Sequence, residues 1–242
     1  MAPTAALAPA LAPAVPLAID VEHLFFSFSS LENPILKGVS VQVNQGEIVI
    51  MTGPSGSGKS TFLTIVGALR HATQGKVVVL GQDLVHASKE TILSIRRQAG
   101  YIFQQHNLIE SLTALQNVSM TLEMDGSFSE EERREKSAHM LSRVGLSGHE
   151  HKKPHELSGG QRQRVSIARA LVSKPKLVLA DEPTASLDKA SGAACIEILT
   201  SLAQEDNTTI FLVSHDYRVL NQATRIIELE DGLITQGLTQ EL

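Results

Sequence analysis

The chain holds a single cysteine, Cys195, so no disulfide can form within it, and that usage suits a reducing compartment. Set in Ala193-Ala194-Cys195-Ile196, inside a helical pattern, it reads as a small core residue. No apolar run approaches the roughly 18–20 residues needed to span a bilayer. Any action at a membrane therefore requires another chain to cross it. There is no excess of positive charge: the formal net charge is −5, which argues against a nucleic-acid binder that works by bulk electrostatics. There is also no basic stretch at the start, which argues against a secretory signal. Residues Met1 to Pro16 are nearly all Ala, Leu and Pro, and Pro3, Pro9, Pro13 and Pro16 break any useful helix. They are expected to form a flexible tail or to be a remnant of cloning. The other residues, out of 242 in all, have the ordinary composition of a globular α/β protein.

What is present is organised around Gly53-Pro54-Ser55-Gly56-Ser57-Gly58-Lys59-Ser60-Thr61, a phosphate-loop pattern of Gly, four residues, then Gly-Lys-Ser. Glu47 to Thr52 before it reads as a buried strand, and Phe62 to Leu69 after it as a helix. Glycines let backbone N–H groups converge on one point, and the helix adds the positive end of its dipole. Lys59 brings a charge to the β and γ phosphates, and the Ser60 hydroxyl is placed to ligate Mg²⁺. The pattern predicts a site for ATP or GTP with Mg²⁺.

Further strands are expected at Ala18–Leu24, Ile35–Val43, Lys76–Leu80 and Gly100–Phe103, with a helix at Ser88–Arg97. The middle third turns helical. Thr113 to Met124 carries apolar residues at helical spacing, and Asp125-Gly126 breaks it. Ser129 with Glu132 forms a capping box before a charged helix that ends near Gly145. His149, His151 and His155 follow in what reads as a solvated loop. The last third alternates again. Strands are expected at Lys176–Ala180 and Thr208–Val213, helices at Gln161–Ser173 and Lys189–Leu202, and a hairpin at Arg225–Leu229 and Leu233–Thr235. The pattern predicts a mostly parallel sheet covered on both faces.

Two more stretches carry chemistry. Leu177 to Glu182 is an apolar strand ending in two carboxylates. Asp181 is placed to hold Mg²⁺ through water, and Glu182 to polarise an attacking water. Leu157-Ser158-Gly159-Gly160-Gln161 opens a helix with a second anion-binding N-terminus. One chain thus carries two phosphate sites, of which only the first has the Lys-Ser pair of a phosphate loop. A head-to-tail dimer resolves this, each nucleotide lying between the phosphate loop of one chain and Ser158-Gly159-Gly160 of the other.

From Leu17 onward the chain resembles the nucleotide-binding subunit of ABC transporters. Gly53–Thr61 matches Walker A, Leu157–Gln161 the signature and Leu177–Glu182 Walker B. Gln104 matches the Q-loop glutamine, Ser186-Leu187-Asp188 the D-loop and His215 the switch histidine. The resemblance implies a P-loop core of RecA-like type, with an antiparallel β subdomain and an inserted helical subdomain at about residues 105–160. It implies ATP with Mg²⁺. In it Gln104 senses Mg²⁺ and the attacking water, Asp188 contacts the opposite site, and His215 bonds the γ phosphate and aligns Glu182. The family's adenine-stacking position, often Tyr, falls here on Phe28, or on Phe26 if the alignment shifts by two.

Tyr101 to Val118 is similar to the branch of the macrolide exporter and the lipoprotein-releasing ATPases. Within it, Glu47–Thr61 and Ala170–Asp188 resemble the DevA-type ATPases of cyanobacterial glycolipid exporters. The resemblance implies an ATP-hydrolysing homodimer on the cytoplasmic face of the inner membrane, serving an exporter or a mechanotransmission system whose membrane subunits transmit force to periplasmic parts. Its expected partners are separate permease chains, with a periplasmic adaptor and an outer-membrane channel. Ile109, Leu112, Leu115 and Met120 either line the cleft that receives the permease or pack in the core. Other readings are a cell-division regulator of the same branch, a soluble ABC ATPase acting on DNA or the ribosome, and an importer subunit. The last often carries an extra C-terminal domain, whereas this chain ends at Leu242, just beyond the core.

Overall fold

A computed structural model describes residues 15–29, 33–124 and 126–239. The expected tail, apart from Val15 and Pro16, lies outside the described residues, as do Ser30 to Glu32 and Asp125 of the helix break. Two sheets form. The first is antiparallel, with β1 (Leu17–Phe26), β2 (Leu36–Asn44), β4 (Gln74–Val79) and β5 (Gln82–Asp83) in the order β2-β1-β4-β5. The second contains β3 (Ile48–Thr52), β6 (Ala99–Ile102), β7 (Leu177–Asp181), β8 (Thr209–Val213), β9 (Arg225–Glu230) and β10 (Leu233–Thr239), in the order β10-β9-β3-β8-β7-β6. Strands β9, β3, β8, β7 and β6 pair in parallel and β10 closes the edge antiparallel. The helices are α1 (Lys59–Val66), α2 (Lys89–Gln98), α3 (Ala114–Glu123), α4 (Glu130–Arg143), α5 (Gly159–Leu171) and α6 (Lys189–Glu205).

The central strands read as continuous apolar runs because both faces are covered. Successive side chains on a strand point to opposite faces, so the residues sort by parity. Ile48, Ile50, Val178, Ala180, Ile210 and Leu212 enter a core shared with α3, α4, α5 and α6. Their alternates Val49, Met51, Leu177, Leu179, Phe211 and Val213 enter a second core with β1, β2, β4 and α1. Cys195 belongs to the first core at 1% exposure.

Element ends differ from expectation where caps decide them. α5 begins at Gly159 because Ser158 caps it: Ser158 Oγ accepts from Gln161 N–H at 3.2 Å, and Gln161 Oε1 accepts from Ser158 N–H at 2.9 Å. The low helix propensity of the two glycines hides that start in the sequence. α1 begins at Lys59 and stops at Val66, and the N–H groups of Leu69 and Arg70 then both bond the Thr64 carbonyl. The hairpin turns on Asp231 and Gly232, at φ 47° and 79°, the positive pair that a two-residue turn demands.

Leu115 packs against the helical core, while Ile109 stays 41% exposed. Among the described residues, no helix is long and apolar enough to cross a membrane.

Candidate functional site

The phosphate loop joins β3 to α1 and is braced from two sides. Gly53 sits at φ 137°, and a Cβ there would lie 1.9 Å from the Leu229 carbonyl oxygen on β9. Only glycine fits that approach. The Gly232 N–H donates to the Ser57 carbonyl at 3.1 Å, and the Lys37 N–H to the Gly232 carbonyl at 2.8 Å, so the β9–β10 turn ties the loop to the antiparallel sheet. Lys59 is buried and folds back over the loop, its Nζ donating to the carbonyls of Gly53 at 2.9 Å and Pro54 at 2.7 Å. Burial lowers its pKa, against the opposing charges of Glu182 and Asp181. A polyphosphate offers this ammonium stronger acceptors than two carbonyls, so the arrangement fits an anion.

The start of α1 and the end of β7 meet here. Ser60 Oγ donates to Asp181 Oδ1 at 2.9 Å, which sets two hard oxygen ligands side by side, as a divalent cation with few protein ligands requires. Burial raises the Asp181 pKa, partly offset by that hydrogen bond, and the adjacent Glu182 charge raises it further. A cation of charge two would reverse this bias. The chain's own residues therefore fit Mg²⁺.

Glu182 follows Asp181 at φ 46°, a left-handed conformation rare for a side chain of this size. Its N–H bonds the Val213 carbonyl at 2.9 Å. That strained turn aims the carboxylate away from the strand end. Glu182 Oε1 lies 2.7 Å from His215 Nδ1, while Oε2 is buried without a hydrogen-bond partner. A buried acceptor left unmatched is costly, and a water or ligand in the cavity would satisfy it.

A cavity of about 430 Å³ unites these groups: Lys59, Ser60, Glu182 and His215 line it, joined by Gln104 and, at the rim, Phe28. Ser55, Gly56, Gly58 and Thr61 also line it, while Pro54 contributes the carbonyl on Lys59. Phe28 is 61% exposed and meets Phe26 edge to face, ring centroids 5.3 Å apart. Phe26 is 5% exposed and belongs to the core, so of the two rings Phe28 is the one open to a base. The Arg70 guanidinium stacks over Phe28, 4.5 Å from its centroid. Nothing in the sequence marked Arg70, since only the fold brings the segment after α1 to the segment after β1.

Two sequence-predicted groups lie outside this cavity. Ser158, Gly159, Gly160 and Gln161 form the N-terminus of α5, with Cys195 Sγ 3.9 Å from the Gly160 carbonyl. Asp188 caps α6, its Oδ1 accepting from the N–H groups of Ala190 and Ser191 at 3.0 Å each. The Ser191 hydroxyl, then these backbone donors, hold its carboxyl below the usual range. The two are neighbours: Gly159 approaches Leu187, and Gly160 approaches Ser191.

Other supports were not legible either. Arg169 on α5 donates to the carbonyls of Asn107 at 2.6 Å and His106 at 2.7 Å, fixing the segment after Gln104. Asn117, fully buried, accepts from Ile109 N–H and donates to the carbonyls of Ile109, Leu112 and Thr113, holding the entry to α3. The histidine loop also departs from expectation: His149 is half-buried, and its Nε2 lies 3.2 Å from Gln161 Nε2.

A family model described as ABC transporter matches residues 36–185. The ABC transporter ATP-binding protein YtrE of Bacillus subtilis is 40% identical over 231 residues, covering 93% of this chain and 100% of that protein. The macrolide export ATP-binding/permease protein MacB of Mannheimia succiniciproducens is 42% identical over 219 residues, covering 89% of this chain. The chain spans only 34% of that relative's length. Among solved structures, the dimeric post-hydrolysis state of the ATP-binding cassette MJ0796 bound to ADP and Pi superposes with a TM-score of 0.85. It is 38% identical, with 93% of this chain and 99% of that chain covered.

Proposed function

The chain belongs to the ABC transporter family as an ATP-binding, ATP-hydrolysing subunit, and from that premise we propose that two copies form a motor for a separate permease. The observation that carries the chemistry is the unpartnered, buried Glu182 Oε2 facing the cavity that Lys59 and Ser60 line. The phosphate-loop N–H groups and Lys59 bind the polyphosphate of ATP. Ser60 and Gln104, with Asp181 acting through water, would hold Mg²⁺. The metal supplies charge neutralisation on the phosphates. Glu182 Oε2 accepts a proton from water as the water oxygen bonds the γ phosphorus and the bond to the β-phosphate oxygen breaks, releasing ADP and phosphate. His215, held on Oε1, orients Glu182 and bonds the γ phosphate. Phe28 stacks on adenine.

The second anion site, Ser158 to Gln161, lies outside this cavity. We assign it to the partner copy's ATP, in a head-to-tail dimer in which Asp188 meets the opposite site. Residues from about 105 to 160, which include α3 and α4, form the helical subdomain that receives the permease. The exporter branch is favoured by the relatives whose names join an ATP-binding part to a permease. The likeness to DevA-type ATPases points the same way. In such a complex the chain sits on the cytoplasmic face of the inner membrane, and a periplasmic adaptor and outer-membrane channel complete the path. No role on nucleic acid is assigned.

The test is ATP turnover by the purified chain beside Glu182→Gln. We expect turnover to fall by at least about 100-fold, the low end for loss of a general base, with ATP still bound. Undiminished turnover in Glu182→Gln overturns the assignment. A candidate permease in lipid that neither binds the chain nor changes its rate overturns the membrane motor.

A further inference from the structure

We infer that His149 is a positioning residue for the Ser158–Gln161 anion site, acting through a single hydrogen bond to Gln161. The inference rests on the proposed role of that site in an ATP-bound dimer.

The orientation of the Gln161 amide is fixed by its surroundings. Its Oε1 accepts from the Ser158 N–H at 2.9 Å, so the group facing His149 is the NH₂, which can only donate. His149 Nε2, at 3.2 Å, must then be the acceptor. Its Nδ1 lies 3.2 Å from the Ser147 carbonyl, which can only accept, so Nδ1 carries the proton. One neutral tautomer satisfies both contacts. The result is a directed chain: His149 Nδ1–H to Ser147 C=O, Gln161 NH₂ to His149 Nε2, Ser158 N–H to Gln161 Oε1, and Gln161 N–H to Ser158 Oγ.

The loop that carries the imidazole is itself braced. The His149 N–H donates to Leu146 C=O at 3.0 Å, and Lys152 N–H to His149 C=O at 3.1 Å. From the first turn of α3, Ala114 N–H donates to Lys152 C=O at 2.8 Å and Leu115 N–H to Glu150 C=O at 2.9 Å. His149 is therefore a fixed post, and Gln161 is the side chain it holds. Without the post the Gln161 amide is held by the Ser158 N–H alone, and the cap that shapes the nest loosens. The nucleotide in the chain's own phosphate loop is untouched, because His149 and Gln161 lie outside that cavity.

The experiment uses the full chain with Glu182→Gln and reads ATP-dependent dimerisation by light scattering. His149→Phe keeps a ring of similar size without an acceptor, and His149→Gln restores an amide oxygen. We expect the ATP concentration for half-maximal dimer to rise roughly two- to tenfold in His149→Phe, the range for one neutral hydrogen bond. His149→Gln should restore most of it, with ADP affinity of the monomer unchanged in both. In a double-mutant cycle, His149→Phe should add little to Gln161→Leu. The inference is overturned if His149→Phe dimerises like its parent, if His149→Gln fails as fully as His149→Phe, or if ADP affinity falls in step. A parent that stays monomeric with ATP overturns the dimer reading itself, which separates the two failures.

Discussion

Replacing Phe28 separates the base from the phosphates of the nucleotide. Its ring stands 61% exposed at the cavity rim, pinned at one edge by Phe26 and on one face by Arg70. Stacking of a base on an aromatic ring contributes about 1–3 kcal/mol. At about 1.4 kcal/mol per tenfold, Phe28→Ala should weaken ATP binding by roughly 5- to 150-fold. Arg70 acts only through the ring. An exposed cation–π contact is worth about 0.5–1 kcal/mol, so Arg70→Ala should weaken ATP binding by about two- to fivefold. Phe28→Tyr keeps the ring face and should bind ATP as the parent does. Calorimetric titration with ATP and with inorganic triphosphate, both with Mg²⁺, provides the assay. Triphosphate has no base, so its affinity should be the same in all four proteins. Equal loss of ATP and triphosphate in Phe28→Ala would refute the stacking argument, as would full ATP affinity in that variant.

Other consequences follow from the same geometry. Asp181 carries a carboxyl whose pKa is raised chiefly by burial, so the folded state favours its proton and its ionisation costs stability as pH rises through the folded pKa. Asp181→Asn should therefore raise the Tm of the nucleotide-free protein at neutral pH, with the gain shrinking in acid, while Mg²⁺-ATP stabilisation is lost; a lower Tm at neutral pH would contradict this. Gly53→Ala should cost at least about 1–3 kcal/mol from the positive φ and more from the Leu229 carbonyl, measured by urea unfolding, with ATP binding lost. Phe211→Ala, at a fully buried site packed 5.4 Å from the Phe62 ring, should cost about 3–5 kcal/mol in the same assay without altering the cavity.

Much of the fold was legible because its signals are local. Short apolar runs marked β3, β7 and β8, the first closed by Gly53 and the second by Asp181 and Glu182, and the Ser129–Glu132 box marked α4. Residue order along β7 also fixed which carboxylate could meet Ser60, because Asp181 ends the strand and Glu182 turns out of it. The remainder was hidden because it depends on contacts distant in sequence. Arg70 meets Phe28 across 42 positions, Arg169 meets His106 across 63, and His149 meets Gln161 across 12. No period or spacing encodes those meetings. Reading His149 as a solvated loop residue failed for that reason. Its neighbours His151 and His155 are exposed, and only the packing of the loop onto α5 sets it apart.

The central claim is that ATP is held between two copies of this chain. The mass of Glu182→Gln in solution, measured by light scattering with and without ATP, tests it most directly. Glu182→Gln should be a monomer without nucleotide and a stable dimer with ATP, abolished by Lys59→Ala, which removes the phosphate contact, and by Ser158→Arg, which fills the second anion site. A protein that stays monomeric in saturating ATP, or that dimerises equally with ATP absent, would contradict it.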